Sequence, residues 1–367
     1  MFIPPDSNQI ITFQDYQTGN YQLYDDRYQI AAYVLTPSHI AAAFNCPFNI
    51  SKNYCAFFFI NVDGIIAARS QLFGTQFYAK GKVIPAGSGS SLETAEPYRK
   101  SGVGAEVMLF FATNKEYDFF IASGISQEAL PLYYKLRFYV LEFPRLMLIR
   151  NSRSILERGG LKGFALNAAS RLINIPLNLL YSFGVMKGKR LIKKYEVEKV
   201  THVPEWVDDI VLNDGHEYME LHDHRWLQWN LDYNFRGLSL DIQSFYTIKK
   251  DGIPLGFFMT KERFREKAGG KLKNILIGSI VEWGSADENI LSETDIYKLS
   301  LTTFSSNLDI IETATANKRS VKEMLYCGFI PHGYAHIALK DKKKQYKDAS
   351  DIRRWRIRYG YADVILT

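Results

Sequence analysis

The chain is poor in cysteine, has no long apolar run and carries no recognisable metal signature, and each absence removes a class of answers. Cys46, Cys55 and Cys327 are the only three cysteines in 367 residues. None belongs to a C-x-x-C pair, and so sparse and odd a set gives no disulfide framework. A reducing, cytoplasmic setting is the simplest expectation. The first nine residues are polar and proline-bearing, without the basic start and apolar stretch of a secretory signal. The longest uncharged apolar run of the basic middle region, residues 172–186, falls short of the roughly 20 residues that a spanning helix needs. No H-E-x-x-H motif occurs; His222 and His224 flank Asp223 but lack a third ligand at a convincing spacing. An exposed polar loop is expected there, and no metal. Cys327 is expected to be core packing.

What is present is an ordinary globular composition, 47% hydrophobic and 23% charged, with 14% aromatics. The length suggests two domains. A net charge of +6 suits a polyanionic ligand such as a nucleotide cofactor, or simply a mildly basic surface.

Residues 21–150 read as mixed α/β. Residues 54–62 are apolar and aromatic, Asp63 and Gly64 mark a turn, and an extended pattern resumes at Ile65, which predicts a hairpin. A Pro-, Gly- and Ser-rich passage comes after Val83 and leads to a short strand at residues 91–95. A glycine-bearing loop and a helix through Met108 come next. A strand is expected at residues 118–122, a helix at 127–136, and one or two strands over 138–149.

Residues 150–199 differ. Basic residues crowd both ends, and Asn167, Arg171, Asn174 and Asn178 form a polar stripe on an otherwise apolar helical stretch. Pro176 is expected to kink or break that helix. The segment reads either as a linker helix packed on a domain or as a basic amphipathic element, residues 160–194, resting on a membrane surface. From Tyr195 the α/β pattern resumes, with strands at 245–248, 255–259, 275–283 and 309–313 and helices at 291–305 and 320–326. This order echoes the first half. The tail from Lys340 to Arg356 alternates bases with aromatics, a pattern that reads as a solvated surface or terminal strand, or as a nucleic-acid contact.

The most informative stretch is Leu92-Glu93-Thr94-Ala95-Glu96-Pro97-Tyr98-Arg99-Lys100-Ser101-Gly102-Val103-Gly104. A strand ends, a loop carries two bases and two glycines, and a helix begins. Glycines admit an anion to the backbone N–H groups, and the helix start adds unsatisfied donors and partial positive charge. In outline this is a pyrophosphate cradle. It is neither a Walker loop nor the dinucleotide fingerprint, since the spacing of each is missing.

This stretch resembles the acetyl-CoA motif Q/R-x-x-G-x-G/A of the GNAT superfamily of N-acetyltransferases, matched by Arg99-x-x-Gly102-x-Gly104. A second segment, Ala129-x-x-Leu132-Tyr133-x-Lys135-Leu136-Arg137-Phe138, is similar to the family's later A-x-x-L-Y-x-K-L-G-F, with Arg137 in place of the glycine and Pro131 awkward for a long helix. More faintly, the second half resembles the same fold. Its late segment places Met324 at the tyrosine position, and residues 284–288 lack the glycine loop and carry acidic residues that would repel pyrophosphate.

The resemblance implies an α/β (α+β) protein of two acyl-CoA N-acyltransferase-like domains. Each has a central mixed, mostly antiparallel sheet flanked by helices: a catalytic domain at 1–149, a basic helical linker at 150–199 and a degenerate domain at 200–367. It implies pantetheine running along Leu92 and Thr94, and pyrophosphate on the amides of Arg99, Lys100, Ser101, Gly102, Val103 and Gly104. It implies Tyr133 as general acid to the departing thiolate, with Tyr134 second in line. Glu93 is the expected base, directly or through water, to free the neutral amine. The co-substrate is acetyl-CoA or another acyl-CoA, and the acceptor a small-molecule or protein amine; no DNA partner is expected. The alternatives are a FemABX-type aminoacyl-tRNA-dependent transferase, which the basic linker and tail would suit but the intact loop argues against, and a non-catalytic CoA-binding scaffold.

Overall fold

The fold is described from a computed structural model, in which residues 6–21, 24–30, 36–49, 55–268 and 272–360 are described; Tyr54, the first residue of the expected hairpin, lies outside them. Turn chemistry builds the sheet. Strands β1 (Ser7–Thr12), β2 (Cys55–Val62), β3 (Ile65–Ala79) and β4 (Lys82–Thr94) run antiparallel in sequence order. Asp63 and Gly64 take φ of 53° and 71° between β2 and β3, and Lys80 and Gly81 take 50° and 84° between β3 and β4. Two successive positive φ angles match the right-handed twist of the flanking strands. The same pair recurs at Asp251 and Gly252, with φ of 52° and 76°, between β9 (Ile242–Lys250) and β10 (Ile253–Ala268).

The Gly- and Ser-rich passage after Val83 is strand rather than loop. A Cβ on Gly87 would lie 2.9 Å from the Leu72 side chain, and one on Gly89 would lie 2.2 Å from the Phe120 ring. The small residues let neighbouring chains close on the strand, a use of glycine that composition alone reads as a turn.

The remaining strands are β5 (Phe119–Ser123), β6 (Tyr139–Ile149), β7 (Glu196–Val200), β8 (Tyr218–Glu220), β11 (Leu272–Ser285), β12 (Ile310–Ala314) and β13 (Ile330–Asp341). Among the described residues they form one mixed sheet ordered β1-β2-β3-β4-β5-β13-β6-β12-β11-β10-β9-β7, with β8 on the edge of β3. The two halves of the chain exchange their last strands. β13 lies antiparallel between β5 and β6, and β6 lies antiparallel between β13 and β12. Each half's sheet is thus completed by the other. In both halves one parallel pair sits beside the exchange: β4 with β5, and β11 with β12.

Helices cover the sheet. The helix Val103–Thr113 buries Val103, Val107, Met108 and Phe111 on one face, with the Phe58 and Phe110 rings stacked 4.1 Å apart. Full burial of such side chains stabilises by roughly 1.5–3 kcal/mol each. Pro176 was expected to kink or break the helix Gly163–Ile192; the helix runs through it without a break. The polar stripe explains part of its seating: Asn174 accepts from the Ser152 backbone N–H at 2.8 Å, and Asn167 accepts from Arg153 at 2.9 Å. This ties it to the preceding helix Arg153–Arg158.

One expectation about exposure is overturned, and another holds in part. His222 and Asp223 are buried, not in an exposed loop. His222 Nδ1 lies 2.5 Å from Glu282 Oε2, its ring stacks on Trp226, and Asp223 caps the helix His224–Asp232. Burial lowers the His222 pKa, but Glu282 and Glu220 outweigh it and the net shift is upward. Of the tail, Lys343, Lys344, Lys347 and Arg353 are exposed, as a solvated surface would have them, and only its end turns inward: Trp355 and Arg356 are buried, and Arg356 donates to Glu282 at 2.7 Å. Cys327 is buried, as expected of packing.

His39 sets a pH limit on this core. It is fully enclosed, with Nε2 2.7 Å from Gln71 Oε1. Burial first, and then the charges of Arg69 and Lys261, depress its pKa from 6.5 to about 4, against the opposing hydrogen bond to Gln71. The unfolded chain therefore binds a proton below pH 6.5 that the fold refuses until about pH 4. The stability His39 contributes is present above pH 6.5 and is lost as pH falls through that window, by up to about 3 kcal/mol. Urea midpoints measured at roughly pH 7 and pH 4.5 should fall less in His39→Gln than in the parent. Equal falls would show that other groups govern acid unfolding.

Candidate functional site

β4 and β5 pair only where residues 86–89 meet 119–122; beyond Gly89 the two strands part. The parting coincides with a bulge. Arg69 faces Glu93 and Gln71 faces Ser90, so β4 carries one extra residue, and Ser91 takes φ of 56°. A bulge bends its strand and re-aims the side chains beyond it. The buried Arg69 braces it. Its guanidinium donates to the Ser91 carbonyl and to Glu93 Oε2, both at 2.7 Å, and also to the Ile30 carbonyl. Leu92, Glu93 and Thr94 therefore present an edge to open space rather than to a neighbouring strand. Arg69 was not legible as a site residue; a lone base in the apolar run 65–73 was its only signal.

The glycine-bearing loop comes directly after this edge. Lys100 and Gly102 take φ of 75° and 98°, and Gly102 is the N-cap of the helix Val103–Thr113. The backbone N–H groups of Lys100, Gly102, Val103 and Gly104 have no acceptor among the described residues, whereas Arg99 N and Ser101 N are used within the turn. Left-handed residues among right-handed ones make such an anion-binding concavity. Gly104 packs the helix against β4: a Cβ there would lie 2.6 Å from Thr94 Oγ1. Leu92, Glu93, Thr94, Arg99, Lys100, Gly102 and Gly104 line one groove of about 800 Å³. Ser101 is buried, with its hydroxyl donating to the Tyr98 carbonyl at 2.6 Å, and Val103 is core. Their side chains thus hold the loop, leaving only the Val103 amide toward a ligand.

The groove continues into a cavity of about 160 Å³ between the parted strands, walled by Ser90, Met108, Phe120 and Tyr133, with Leu92, Glu93, Ser126 and Ala129 shared. Tyr133 is buried on the helix Leu130–Lys135, its ring edge-on to Phe138 at 5.1 Å. That helix is shorter than expected because Pro131 opens it, and Arg137 ends it by adopting φ of 57° itself, in the place of the family glycine. Glu93 also lines the cavity, half-exposed and paired to Arg69. Tyr134 is 60% exposed and lines neither cavity nor groove.

On the far side of residues 123–126 a second cavity of about 400 Å³ opens, which sequence reading missed entirely. Its wall is basic: Arg145 and Arg263 on β6 and β10, then Arg265 and Arg358, with His336 and Tyr359. Arg145 and Arg263 both pair with Glu312. Burial alone would raise the Glu312 pKa; the two guanidiniums hold it below the usual range. These residues come from both halves, through the strand exchange.

The second half repeats the bulge, at Val281, where Met259 faces Glu282 and Thr260 faces Ile280. There the ground is filled. Arg356 and Arg358 donate to the Trp283 carbonyl at 2.7 and 3.2 Å, and Met324, at the tyrosine position, is core. Among the described residues no group of three metal-ligating side chains gathers.

No family model and no curated protein matches the sequence. Solved structures do match its fold. Saccharomyces cerevisiae N-myristoyltransferase with bound myristoyl-CoA and inhibitors is 11% identical with a TM-score of 0.61, covering 91% of this chain and 80% of its own. A GCN5-related N-acetyltransferase from Anabaena variabilis is 11% identical with a TM-score of 0.53, covering 92% and 73%. An Enterococcus faecalis protein described as a probable N-acyltransferase is 10% identical with a TM-score of 0.51, covering 92% and 73%. At such identities the likeness is one of fold: the chain has the GNAT-like acyltransferase architecture, in tandem.

Proposed function

We propose that the protein is an acyl-CoA-dependent N-acyltransferase whose first half binds the thioester. The observation that carries this reading is the run of open amides at Lys100, Gly102, Val103 and Gly104, placed at the end of a groove that leads back between the parted strands. The amides and the helix start meet the pyrophosphate, and Arg99 and Lys100 add charge. The free edge at Leu92 and Thr94 pairs with the pantetheine amides. The acyl group enters the cavity beside Tyr133.

The acceptor amine, made neutral by loss of a proton to Glu93 or to water held there, attacks the thioester carbonyl carbon. The oxyanion rests on a backbone N–H of the open β4 edge. The C–S bond then breaks, the Tyr133 phenol donates its proton to the leaving sulfur, and the attacking nitrogen, positively charged since the attack, loses its second proton to water to leave the neutral amide; solvent returns a proton to the phenol. The amine approaches this point from the side of the basic cavity, which residues 123–126 line in common with the acyl cavity; Arg145, Arg263, Arg265 and Arg358 outnumber the carboxylates Glu312 and Glu293 that pair with them, a surplus that suits an acceptor bearing a carboxylate or phosphate.

The acyl cavity favours a short chain. A space of about 150 Å³ holds a benzene-sized guest, so about 160 Å³ takes an acetyl to hexanoyl group and not a fourteen-carbon chain. Thiol release should be assayed with acetyl-, hexanoyl- and myristoyl-CoA against amines, amino acids and amino-acid amides. Turnover is expected with the short donors, faster with the acids than with their amides. Turnover with myristoyl-CoA alone would overturn the chain-length assignment, and no turnover with any pair would overturn the enzymatic one.

A further inference from the structure

The helix Gly163–Ile192 has two apolar faces, and only one of them is packed. Leu166, Ser170, Gly184 and Gly188 are buried. A Cβ on Gly188 would lie 2.1 Å from the Lys298 carbonyl oxygen, and one on Gly184 would lie 3.0 Å from Leu301. The helix is therefore pressed onto the helix Glu293–Leu301 and its rotation is fixed.

At 100° per residue the opposite side carries Leu172, Ile175, Leu179, Phe183 and Met186, a row built on steps of three and four, with Phe164 in line with it two turns earlier. Every one is exposed, Phe164 by 88%, Leu172 by 70% and Leu179 by 66%. With Phe164 the row is roughly 33 Å long at 1.5 Å per residue. Bases border it: Arg171, Lys189 and Lys193 are exposed, and the Lys187 ammonium sits 4.3 Å from the Phe183 ring. No Asp or Glu occurs between Glu157 and Glu196. No helix among the described residues is long and apolar enough to cross a membrane.

We propose that this face docks on the surface of a bilayer containing anionic lipids, with the helix lying in the interface plane. An apolar row this large needs a cover. The positive charge at both ends of the row, with no acidic residue between, selects among covers: a second copy of the same face would set its bases against themselves, whereas an anionic headgroup layer takes the bases and the acyl boundary takes the row.

The test is flotation of the full chain with vesicles of phosphatidylcholine alone and of equimolar phosphatidylcholine and phosphatidylglycerol. The variants are Leu172→Ser/Leu179→Ser/Phe183→Ser, the single Phe164→Ser, and Arg171→Gln/Lys189→Gln/Lys193→Gln. The parent should float with the anionic vesicles only, and less in high salt. The apolar triple variant should lose bound fraction by at least about tenfold, and the charge variant should lose its preference for anionic lipid. Thermal melts matching the parent confirm that folding is intact; should the triple variant not fold, Phe164→Ser, the most exposed position, carries the comparison with a smaller loss. A parent that stays with the soluble fraction, or an apolar variant that floats equally, overturns the proposal. So does a parent that forms dimers, dispersed by the apolar variant, without floating.

Discussion

Gly102→Asp/Gly104→Asp should abolish acetyl-CoA binding, weakening it by at least about a thousandfold, or about 4 kcal/mol. Two effects add. Gly102 takes φ of 98°, where an L side chain costs of order 1–3 kcal/mol, so the loop that aims the open amides is strained. The two carboxylates then stand where the pyrophosphate belongs, and repulsion replaces the attraction of the helix start. Gly104→Ala separates sterics from charge. Its Cβ meets only Thr94 Oγ1 at 2.6 Å, the movable end of a side chain, so a loss of about tenfold or less is expected. Calorimetric affinities for the parent and both variants, with melts to establish folding, check the order. Equal affinity in parent and double variant would remove the loop from CoA recognition.

Tyr133→Phe should lower kcat by about a hundredfold or more, with acyl-CoA affinity unchanged, because general acid catalysis contributes roughly 10²–10⁴. The ring stays: its contact with Phe138 does not need the hydroxyl, and loss of one hydrogen bond costs about 0.5–1.5 kcal/mol of stability. The measurement is the split between kcat and the thioester's dissociation constant, on the same thiol-release assay. A matching fall in kcat for thioesters with an acidic leaving thiol, which needs no proton, would contradict the assigned role; a smaller fall with those donors is expected. Parental kcat in Tyr133→Phe would also sink it. Tyr134→Phe, at the solvent surface, should behave as the parent.

Much of the site was legible because its chemistry is local. Arg99, Gly102 and Gly104 sit within six residues, and the hairpins at Asp63 and Asp251 announce themselves by an aspartate–glycine pair that only positive φ rewards. The expected strands and helices of both halves fall close to their observed places for the same reason. What escaped was non-local. The strand over residues 82–90 reads as a loop until Leu72 and Phe120 are seen pressing on Gly87 and Gly89. The exchange of β6 and β13 leaves no mark in either strand's sequence, since a buried run such as 146–148 or 336–339 does not name the strand it will pair with. The second cavity depends wholly on that exchange, which brings Arg145 beside Arg263. The buried end of the tail escaped because bases among aromatics suit a solvated surface as well as a buried network; only Glu282 and the Trp283 carbonyl, some seventy residues earlier, draw Arg356 inward.

The exchange also explains why a degenerate second half stays with the first. It supplies β13 beside β5, the strand that bears the parting, and it brings Arg263, Arg265 and Arg358 to the basic cavity. Its own bulge at Val281 is closed by Arg356 and Arg358, whereas the strand beyond the bulge at Ser91 lines an open groove.

The central claim is that this groove holds an acyl-CoA, and calorimetric titration of the purified full chain with acetyl-CoA tests it most directly. The account predicts saturable binding near one equivalent, with the second half silent. A folded chain that gives no saturable heat with acetyl-CoA, nor with longer acyl-CoAs, would contradict it.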